Sequence, residues 1–450
     1  MTLGEEQKEA LSKLEIFSTT PFVKDEFYSL VGAAGTGKSL LMGLLVNFLK
    51  EHEIPFKLCA PTHKAALILR TYCHTATTTI HSMLALSPKL DILKFDIRDL
   101  QFYSLSRPTD IPRGVVICDE ASMINDDLFD LLLEKCNQNK TKLIFVSDKA
   151  QLMPVNGKNF SKVYDGKNQI ILTKIYRQSS ENCLVPVLQN LRENEITDLH
   201  ELHSKEGNLI ITNDLKEFLQ NAAKDIDFGI NEMNIFNAKV TTYTNKRVSQ
   251  YNRLIQHYMF NDSELFHPGD ILTAYANGNG TDLVFDKVPE NHPFYNGMDY
   301  VIRKVEKSSK KIPHYKEVEG YKLTLYDLYY EEEFFIFMIT NQNELNNIAE
   351  IMERYRLIGI KQKRWREFYS IQDSFCSNSY AFYDDRCIVK KTFDLGYCST
   401  VHKLQGSSYN KIYVDLKTIK TCKDPLERRQ LEYVAFSRTR NDVIVYDSRN

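Results

Sequence analysis

The length and composition of the chain indicate its broad class. Its 450 residues exceed the usual limit of about 250–300 residues for one hydrophobic core, so two or more domains are expected. With 43% hydrophobic and 26% charged residues, and no apolar run near the ~20 residues of a membrane helix, the composition is that of a soluble globular protein and excludes membrane insertion. The net charge of −2 neither indicates nor excludes a nucleic-acid partner, because phosphate binding depends on local charge.

The N-terminus and the cysteines indicate the compartment. The first residues, MTLGEEQKEALSKL, lack the basic-then-apolar pattern of a signal peptide and predict an amphipathic helix. The nine cysteines include no C-x-x-C pair, which argues against a disulfide framework and a zinc ribbon. We therefore expect a cytoplasmic protein with no membrane partner.

The first 150 residues alternate short apolar strands with helical patterns. Helices are predicted to begin at Lys38, His63 and Asn125, and the strands are EFYSLV, FKLCA, VVIC and KLIFV. This alternation predicts a parallel sheet with crossover helices. The irregular residues 85–112, with several prolines and aromatics, predict a small insertion.

The same alternation returns later in the chain. It resumes with LIIT, a helix near 214–224, VTTY and a helix near 245–258, and it ends with IYVDL, a helix over 425–436 and VIVY. The intervening residues are rich in Tyr and Phe and carry turn signals, which predicts a β-barrel-like insertion. The prediction is an α/β protein with a first domain at 1–180, a second at 181–258 and 397–450, and the inserted domain at 259–396.

A phosphate-binding loop is predicted at GAAGTGKS (32–39). The stretch matches G-x-x-x-x-G-K-[ST] and lies between a strand and a helix, as the motif requires. Its backbone amides and the helix N-terminus are expected to hold phosphates, Lys38 to reach the outer phosphates, and the Ser39 hydroxyl to bind Mg²⁺. The predicted nucleotide-binding residues are Gly32, Ala33, Ala34, Gly35, Thr36, Gly37, Lys38 and Ser39.

Two further stretches supply acidic and amide groups. VVICDEAS (115–122) ends a buried strand in Asp119, expected to bind Mg²⁺, and Glu120, expected to accept a proton from the attacking water. KLIFV runs into SDKAQL (147–152), where the Gln151 amide could sense a γ-phosphate.

Two arginines are candidates for contacts from outside the first domain. Arg177 in IYRQS and Arg438 in YVAFSRTR lie in or beside the second α/β domain, so either would reach a nucleotide only across a domain interface, as an arginine finger does. For Arg440, a surface position at a helix end is an equally good interpretation.

These motifs together resemble a known family. GAAGTGKS, APTHKAA, TIHSML, VICDEAS, SDKAQL, YRQS, STVHKLQGSS and YVAFSRTR occur in the order of superfamily 1 helicases, and the chain is similar to the RecD/Dda branch, particularly the Dda helicases of T-even-type phages. The resemblance covers nearly the whole chain and is loose between 260 and 395. It implies two RecA-like P-loop domains, a pin insertion in the first, and an SH3-like barrel with an extended insertion in the second.

The resemblance also implies the activity and its partners. It implies an ATP-dependent DNA helicase that uses ATP and Mg²⁺, works as a monomer, and travels 5′-to-3′ on single-stranded DNA to a fork duplex. A single-strand-binding protein and other replication or recombination proteins are candidate partners. A phage origin would place the enzyme in the host cytoplasm.

Several site residues follow from the resemblance alone. It implies nucleotide contacts at Gln7, Tyr176, Gln405 and Gly406. It implies DNA contacts at Thr62, His63, Thr79 and His81 in the first domain, at Thr400, His402 and Lys403 in the second, at Phe102 and Tyr103 in the pin, and at Trp365 in the outer insertion. Lys403 could instead cap a turn, and Trp365 could instead belong to the core of the insertion. Residues 376–387 depart from the family as extra length.

Other functions are also compatible with these motifs. A superfamily 1 RNA helicase or a protein-displacing translocase would carry the same motifs, and a nucleotide-gated binding or clamp-loading subunit would share the phosphate loop. A dinucleotide-binding oxidoreductase is excluded, since no G-x-G-x-x-G opens the first domain.

Overall fold

The structure, a computed structural model, describes residues 3–88, 102–104, 108–154, 160–175, 182–196, 198–232, 234–282, 291–374, 378–383 and 386–448. The chain divides into two compact units, which are described separately. The first unit comprises Met1–Leu86, Ser104–Met259 and Cys398–Asn450, and the second comprises Ser87–Tyr103 and Phe260–Tyr397. No helix within these described ranges is long and apolar enough to cross a membrane.

The N-terminal part of the first unit is built on a parallel sheet, with the strand order β3-β2-β6-β7-β1-β8. The two central strands β6 and β7 are buried along their whole length, as expected for a sheet covered on both faces. The short strands β4 and β5 pair with each other in a separate two-stranded sheet, and most of their residues belong to the second unit. The elements are α1 (Glu5–Thr19), β1 (Phe27–Gly32), α2 (Lys38–Glu51), β2 (Phe56–Ala60), α3 (His63–Cys73), β3 (Thr77–Thr79), α4 (Ile80–Met83), β4 (Leu86–Pro88), β5 (Phe102–Ser104), β6 (Val115–Cys118), α5 (Asp126–Asn139), β7 (Lys142–Ser147) and β8 (Asn168–Leu172).

The chain continues into a second set of α/β elements. They are α6 (Leu184–Leu191), β9 (Leu202–His203), β10 (Asn208–Thr212), α7 (Leu215–Asn231), β11 (Ala238–Thr242) and α8 (Asn245–Phe260). Helix α7 is longer than the predicted 214–224, because its buried positions Phe218, Ala222, Ile226 and Gly229 continue the helical period beyond residue 224.

The second unit contains a seven-stranded sheet with the order β14-β13-β17-β16-β15-β12-β20. Its long strands β15 and β16 pair antiparallel as a hairpin, and α9 packs with α10 over the far end. The elements are β12 (Ile271–Ala274), β13 (Gly278–Asp282), β14 (Asn291–Phe294), β15 (Asp299–Lys311), β16 (Glu317–Asp327), β17 (Glu332–Met338), α9 (Gln342–Gln362), α10 (Arg366–Ser374), β18 (Asn378–Tyr383), β19 (Arg386–Lys391) and β20 (Phe393–Leu395). The predicted β-rich insertion is present, and its closure into an SH3-like barrel stays a prediction.

The C-terminal residues complete the second α/β sheet of the first unit. They form β21 (Cys398–Thr400), β22 (Tyr409–Asp415), α11 (Leu416–Ile419), α12 (Pro425–Ser437) and β23 (Thr439–Tyr446). The sheet order is β21-β11-β22-β23-β10-β9, parallel except for the edge strand β9. We call the part with the first sheet lobe 1 (residues 3–86 and 108–175) and the part with this sheet lobe 2 (residues 182–259 and 398–448). The predicted pair of parallel α/β domains is therefore present.

Candidate active site

The loop after β1 winds around its own lysine. Gly35 and Gly37 adopt positive φ angles of 86° and 90°, which side-chain-bearing residues rarely adopt, and α2 begins directly afterwards at Lys38. The Lys38 Nζ donates to the carbonyl oxygens of Gly32 (2.6 Å) and Ala33 (2.8 Å). Burial lowers the pKa of Lys38, opposed chiefly by the charge of Asp148. The lysine is thus held inside the loop, at the N-terminus of a helix suited to bind phosphate.

Gln7 reaches this loop from α1. It is 3% exposed, and its Nε2 donates to the carbonyl oxygen of Thr36 (3.0 Å) while its Oε1 accepts from Gly4 N (3.1 Å). A Cβ at Gly37 would lie 2.3 Å from Gln7 Nε2, so only glycine allows this approach. The structure places Gln7 beside the phosphate loop, and its reading of a base stays a prediction.

The acidic pair lies at the end of β6. Asp119 N donates to Cys59 O (3.0 Å), and Glu120, with a positive φ of 50°, donates its backbone N–H to Asp119 Oδ1 (2.8 Å). Burial, and then the charge of Glu120, raise the pKa of Asp119 to about 7, against the opposing effects of that hydrogen bond and of Lys38. Asp119 and Glu120 are adjacent carboxylates that share one nearby positive charge, that of Lys38. Their mutual repulsion favours binding of an additional cation.

The donor set fits Mg²⁺. The Ser39 and Asp119 side chains line the same cavity and offer the hard oxygen ligands that Mg²⁺ prefers. Among the described residues, no group of three or more His, Cys, Asp or Glu side chains could hold a metal ion. A cation at Ser39 and Asp119 would therefore complete its shell with phosphate oxygens and water.

Lobe 2 supplies the opposite wall of the cavity. Gly406 has a positive φ of 77°, and a Cβ built on it would lie 3.7 Å from Ala65 Cα and 4.0 Å from Glu120 Oε1 of lobe 1. Arg438 is 5% exposed at the end of α12, where its Nε donates to Val434 O (3.3 Å) and its Nη2 to Ser437 Oγ (3.2 Å). The predicted arginine of the second domain is thus buried at the seam between the lobes.

Gln151 links the two walls. With its amide oriented to satisfy both neighbours, the nitrogen donates to Glu120 Oε2 (3.3 Å) and the oxygen accepts from Arg438 Nη2 (3.2 Å). Gln151 is 5% exposed, so this bridge is shielded from water. One amide therefore contacts both the predicted base and the predicted arginine finger.

The cavity between the lobes has a volume of about 730 Å³, which suits a nucleotide. Of the predicted site residues, those that line it are Gln7, Ala34, Gly35, Gly37, Lys38, Ser39, Asp119, Glu120, Gln151, Gly406 and Arg438. Gly32, Ala33 and Thr36 lie in the loop without lining it, and Gln405 also stands outside the lining. Instead, the Gln405 Nε2 is buried with no hydrogen-bond partner in the described part of the chain. Tyr176 and Arg177 lie outside the described residues.

Predicted DNA contacts of lobe 1 lie together at the carboxyl edge of its sheet. Thr79 ends β3 in register with Ala60 of β2, and Thr62 follows that strand. Both threonines cap helices: Thr62 Oγ1 accepts from Ala65 N (3.2 Å) and Thr79 Oγ1 from Ser82 N (3.1 Å). His63 is the first residue of α3, and His81 is the second residue of α4. Burial lowers the pKa of His63 and of His81, and for His63 the neighbouring His81 lowers it further, which favours neutral imidazoles.

Lobe 2 repeats this arrangement. Thr400 ends β21 in register with Thr242 of β11, and His402 and Lys403 follow in a short helical turn. The His402 Nε2 lies 3.6 Å from Glu427 Oε1, and burial lowers its pKa in spite of that carboxylate. Thr244 was missed by the sequence analysis: its Oγ1 accepts from Arg247 N (3.4 Å), as Thr62 caps α3 in lobe 1. The stretch VTTYTN, at the end of a predicted strand, could have indicated this second hydroxyl group in the sequence.

The predicted contacts outside the lobes are less fully described. Phe102 and Tyr103 belong to β5, and their side chains lie outside the described residues. Trp365 packs over Gly359, where an added Cβ would lie 2.6 Å from the indole ring, and meets Phe368 edge-on with ring centroids 5.9 Å apart. These contacts favour the core interpretation of the tryptophan.

Asp148 and Tyr433 meet at the seam, and neither was predicted as a site residue. Asp148 directly follows β7, and its Oδ2 accepts from the hydroxyl of Tyr433 on α12 (2.6 Å). Only the approach of the two lobes brings these residues together, since 285 positions separate them in the sequence.

Comparisons with known proteins find relatives over the whole chain. A family model described as an AAA domain matches residues 2–214, and one described as a UvrD-like helicase C-terminal domain matches residues 395–446. The chain is 26% identical to the ATP-dependent DNA helicase dda of Enterobacteria phage T4, over 93% of this chain and 94% of the relative. It is 28% identical to the ATP-dependent RecD2 DNA helicase of Deinococcus radiodurans, over 37% of this chain and 22% of the relative.

A solved structure shares the fold. The crystal structure of Pif1 helicase from Bacteroides in complex with ADP-AlF3 and ssDNA aligns with a TM-score of 0.52 at 16% identity, covering 100% of this chain and 94% of that chain. Its fold, the matched domains and the full-length relative agree with the two-lobed site. These matches, together with the motifs and the two-lobed site, support an ATP-dependent DNA helicase of superfamily 1 that is similar to the Dda and RecD relatives in sequence and to Pif1 in fold.

Proposed function

We propose that the protein binds ATP with Mg²⁺ in the cavity between lobes 1 and 2 and uses its hydrolysis to move along single-stranded DNA. The observation that carries this proposal is the composition of the cavity walls. Lobe 1 supplies Lys38, Asp119 and Glu120, and lobe 2 supplies Gly406 and Arg438. A nucleotide bound between them would touch both lobes, so its hydrolysis would change how the lobes are held together.

The chemistry follows from the positions of these groups. Lys38 would exchange its two carbonyl partners for phosphate oxygens, and Glu120 would accept the proton of the attacking water. Mg²⁺ held by Ser39 and Asp119 would neutralise charge on the phosphates. Arg438 would stabilise the charge that develops on the transferred phosphoryl group.

The DNA grips are proposed at the carboxyl edges of the two sheets. Thr62 and Thr79 of lobe 1, and Thr244 and Thr400 of lobe 2, offer hydroxyl groups at matching places, beside histidines whose lowered pKa favours the neutral form. Neutral donors of this kind position a phosphate backbone without reading its bases. Alternate opening and closing of the lobes would then let one grip hold while the other advances.

The finer features rest on the resemblance to the family. Travel in the 5′-to-3′ direction, action as a monomer, and duplex separation by a pin come from that resemblance; the paired strands β4 and β5 support a hairpin at the pin position. Binding to single-stranded DNA and forks is proposed for the same reason. A single-strand-binding protein and other replication or recombination proteins remain candidate partners.

The decisive experiment measures ATP turnover with and without single-stranded DNA. Stimulation by the strand supports the proposal, and strong turnover without DNA would favour a nucleotide-gated binding or clamp-loading protein. Unwinding of a fork with a 5′ tail, compared with a 3′-tailed fork and an RNA version, then tests direction and separates DNA from RNA helicases. Protein displacement without strand separation would identify a translocase that does not unwind.

A further inference from the structure

The hydroxyl of Tyr433 joins the two lobes beside the catalytic groups. Tyr433 lies on α12, is 1% exposed, and precedes Arg438 by five residues. Its hydroxyl donates to Asp148 Oδ2 of lobe 1 (2.6 Å) and accepts from Ala34 N of the phosphate loop (3.3 Å). The single hydroxyl proton and one lone pair are both used in contacts that cross the seam.

Asp148 is a fully buried acceptor for groups from both lobes. Besides the Tyr433 hydroxyl, it accepts from Ala150 N at Oδ1 (3.1 Å), and the Arg192 Nη2 of lobe 2 lies 3.9 Å from the same oxygen. A buried carboxylate is costly unless it is hydrogen-bonded and paired. The contact with Tyr433 therefore stabilises Asp148 as much as it orients α12.

The turn at residues 148–151 meets α12 at two points. Gln151 N donates to Asp148 O (3.1 Å), which holds the two side chains in one tight turn. Asp148 contacts Tyr433, and the Gln151 amide contacts Arg438 and Glu120. Besides its packing inside lobe 2, α12 is therefore held against lobe 1 by two contacts five residues apart.

Resting on the proposed function, we infer that Tyr433 is a positioning residue for ATP hydrolysis, which sets α12 against the 148–151 turn so that Arg438 faces the γ-phosphate. The bond from Ala34 N ties this placement to the phosphate loop, whose amides also bind the nucleotide. A change in the conformation of the phosphate loop would therefore move Tyr433 and, with it, α12 and Arg438.

The test compares two buried tyrosines of lobe 2. Tyr433→Phe keeps the ring and removes the hydroxyl. Tyr409→Phe is the matched control, because Tyr409 is also 1% exposed in the lobe 2 core and its hydroxyl has no hydrogen-bond partner in the described part of the chain. The measurements are kcat and KM for ATP, the Kd of ADP and of ADP with aluminium fluoride, and Tm.

For Tyr433→Phe we expect kcat to fall roughly 10- to 100-fold, the loss typical of a small misplacement of a catalytic group. The KM for ATP and the Kd of ADP should stay within about threefold. Binding of ADP with aluminium fluoride, which mimics the transferred phosphoryl group, should weaken by the same factor as kcat. Tyr409→Phe should change none of these values by more than about twofold.

A second variant guards against a folding defect. Asp148→Ala removes the acceptor of the Tyr433 hydroxyl, and adding Tyr433→Phe to it should cause little further loss of kcat, because both substitutions break the same contact. Equal behaviour of Tyr433→Phe and Tyr409→Phe would overturn the inference. So would an equal loss of affinity for ADP and for its aluminium fluoride complex, since Tyr433 would then only shape the pocket.

The outcome is separable from the proposed function. If single-stranded DNA fails to stimulate the wild-type ATPase, the proposed translocase is wrong, while the comparison of the two tyrosines is still read in DNA-independent turnover. If stimulation is normal and the two tyrosines behave alike, only the role of Tyr433 is wrong.

Discussion

The two sheets of the first unit share the order of their first five strands, differ in the sixth, and carry different groups at their strand ends. The strand orders are β3-β2-β6-β7-β1-β8 and β21-β11-β22-β23-β10-β9. The third strand of each has an aspartate at its carboxyl end: Asp119 follows β6, and Asp415 is the last residue of β22. Asp119 faces the cavity beside Glu120. Asp415 instead accepts hydrogen bonds from the Tyr251 hydroxyl (2.7 Å) and the Thr242 hydroxyl (3.3 Å) inside lobe 2.

The fifth strands differ in the same way. Strand β1 leads into the glycine-rich phosphate loop, whereas β10 leads to Asp214, whose Oδ1 accepts from Lys216 N (2.8 Å) and Glu217 N (3.3 Å) and so caps α7. A carboxylate at the helix N-terminus of lobe 2 occupies the place where lobe 1 is open to a phosphate. The same order of five strands therefore forms a lobe with a phosphate loop and a lobe that only adds individual residues to the cavity wall.

The largest expected effect tests Arg438, the side chain of lobe 2 proposed to act in ATP hydrolysis. Arg438→Ala should lower kcat about 10³-fold, the contribution typical of an arginine finger, with little change in ADP binding. Arg440→Ala is the control, because Arg440 is exposed on β23 and should leave kcat within about twofold. The kcat of both variants is measured by steady-state ATPase with saturating single-stranded DNA. A loss below tenfold for Arg438→Ala would show that Arg438 does not act as an arginine finger.

The next effect compares the two aspartates directly. Asp119→Asn should lower kcat by about 10²-fold or more, because it weakens the metal and phosphate site, without lowering Tm. Asp415→Asn should leave the kcat of the folded enzyme nearly unchanged and cost about 1–3 kcal/mol of stability, because an amide donor replaces an acceptor among buried donors. Measurements of kcat and Tm for both variants check this prediction. Equal changes in both variants would mean that the two aspartates do not have different roles.

A smaller effect concerns the paired threonines. Thr400 makes no capping hydrogen bond through its side chain, so Thr400→Val should weaken single-stranded DNA binding about two- to tenfold and leave Tm unchanged. Thr62→Val should weaken binding similarly and also cost about 0.5–2 kcal/mol, because it removes the cap of α3.

Titrations of DNA binding at several salt concentrations provide the readout for these threonine variants. The slope of log affinity against log salt should match wild type in both, since no phosphate-neutralising charge is lost. A changed slope, or full binding by Thr400→Val, would place the grip of lobe 2 elsewhere.

The smallest effect is a pH dependence of stability in the absence of nucleotide. The folded protein holds a proton on Asp119 up to about pH 7, while the unfolded chain loses it near the ordinary value, because burial and Glu120 raise the pKa. The folded state then binds more protons over this interval, so the contribution of Asp119 to stability falls as pH rises towards 7 and is constant above it.

Melting of wild type and Asp119→Asn between pH 5 and pH 8.5 tests this dependence. The Tm of the variant should rise relative to wild type from pH 5 to about pH 7 and then stay level. A difference that is independent of pH would mean that Asp119 is already ionised at pH 5.

Much of this could be read from the sequence, because it depends on local patterns. Four strands of each sheet and the main helices after them were predicted from apolar runs and helical spacing, whereas β3, β8, β9 and β21 were not. The phosphate loop was predicted from its glycines between a strand and a helix. The acidic pair after β6 follows for the same reason: carboxyl ends of parallel strands share one edge. The position of Arg438 at a domain interface followed from its place in the second α/β domain, whereas Gln7 came from a family resemblance, which is also information carried by the sequence.

The tertiary structure decided which of these residues meet. Tyr433 and Asp148 are 285 residues apart, and no periodicity or spacing reveals a hydrogen bond between separate lobes. Asp415 and Asp119 both end apolar strands, and only their surroundings make one a hydrogen-bond acceptor within lobe 2 and the other part of the cavity. The sequence determined the elements and the phosphate loop, because these depend on neighbouring residues, whereas the contacts across the seam depend on how two folded lobes pack.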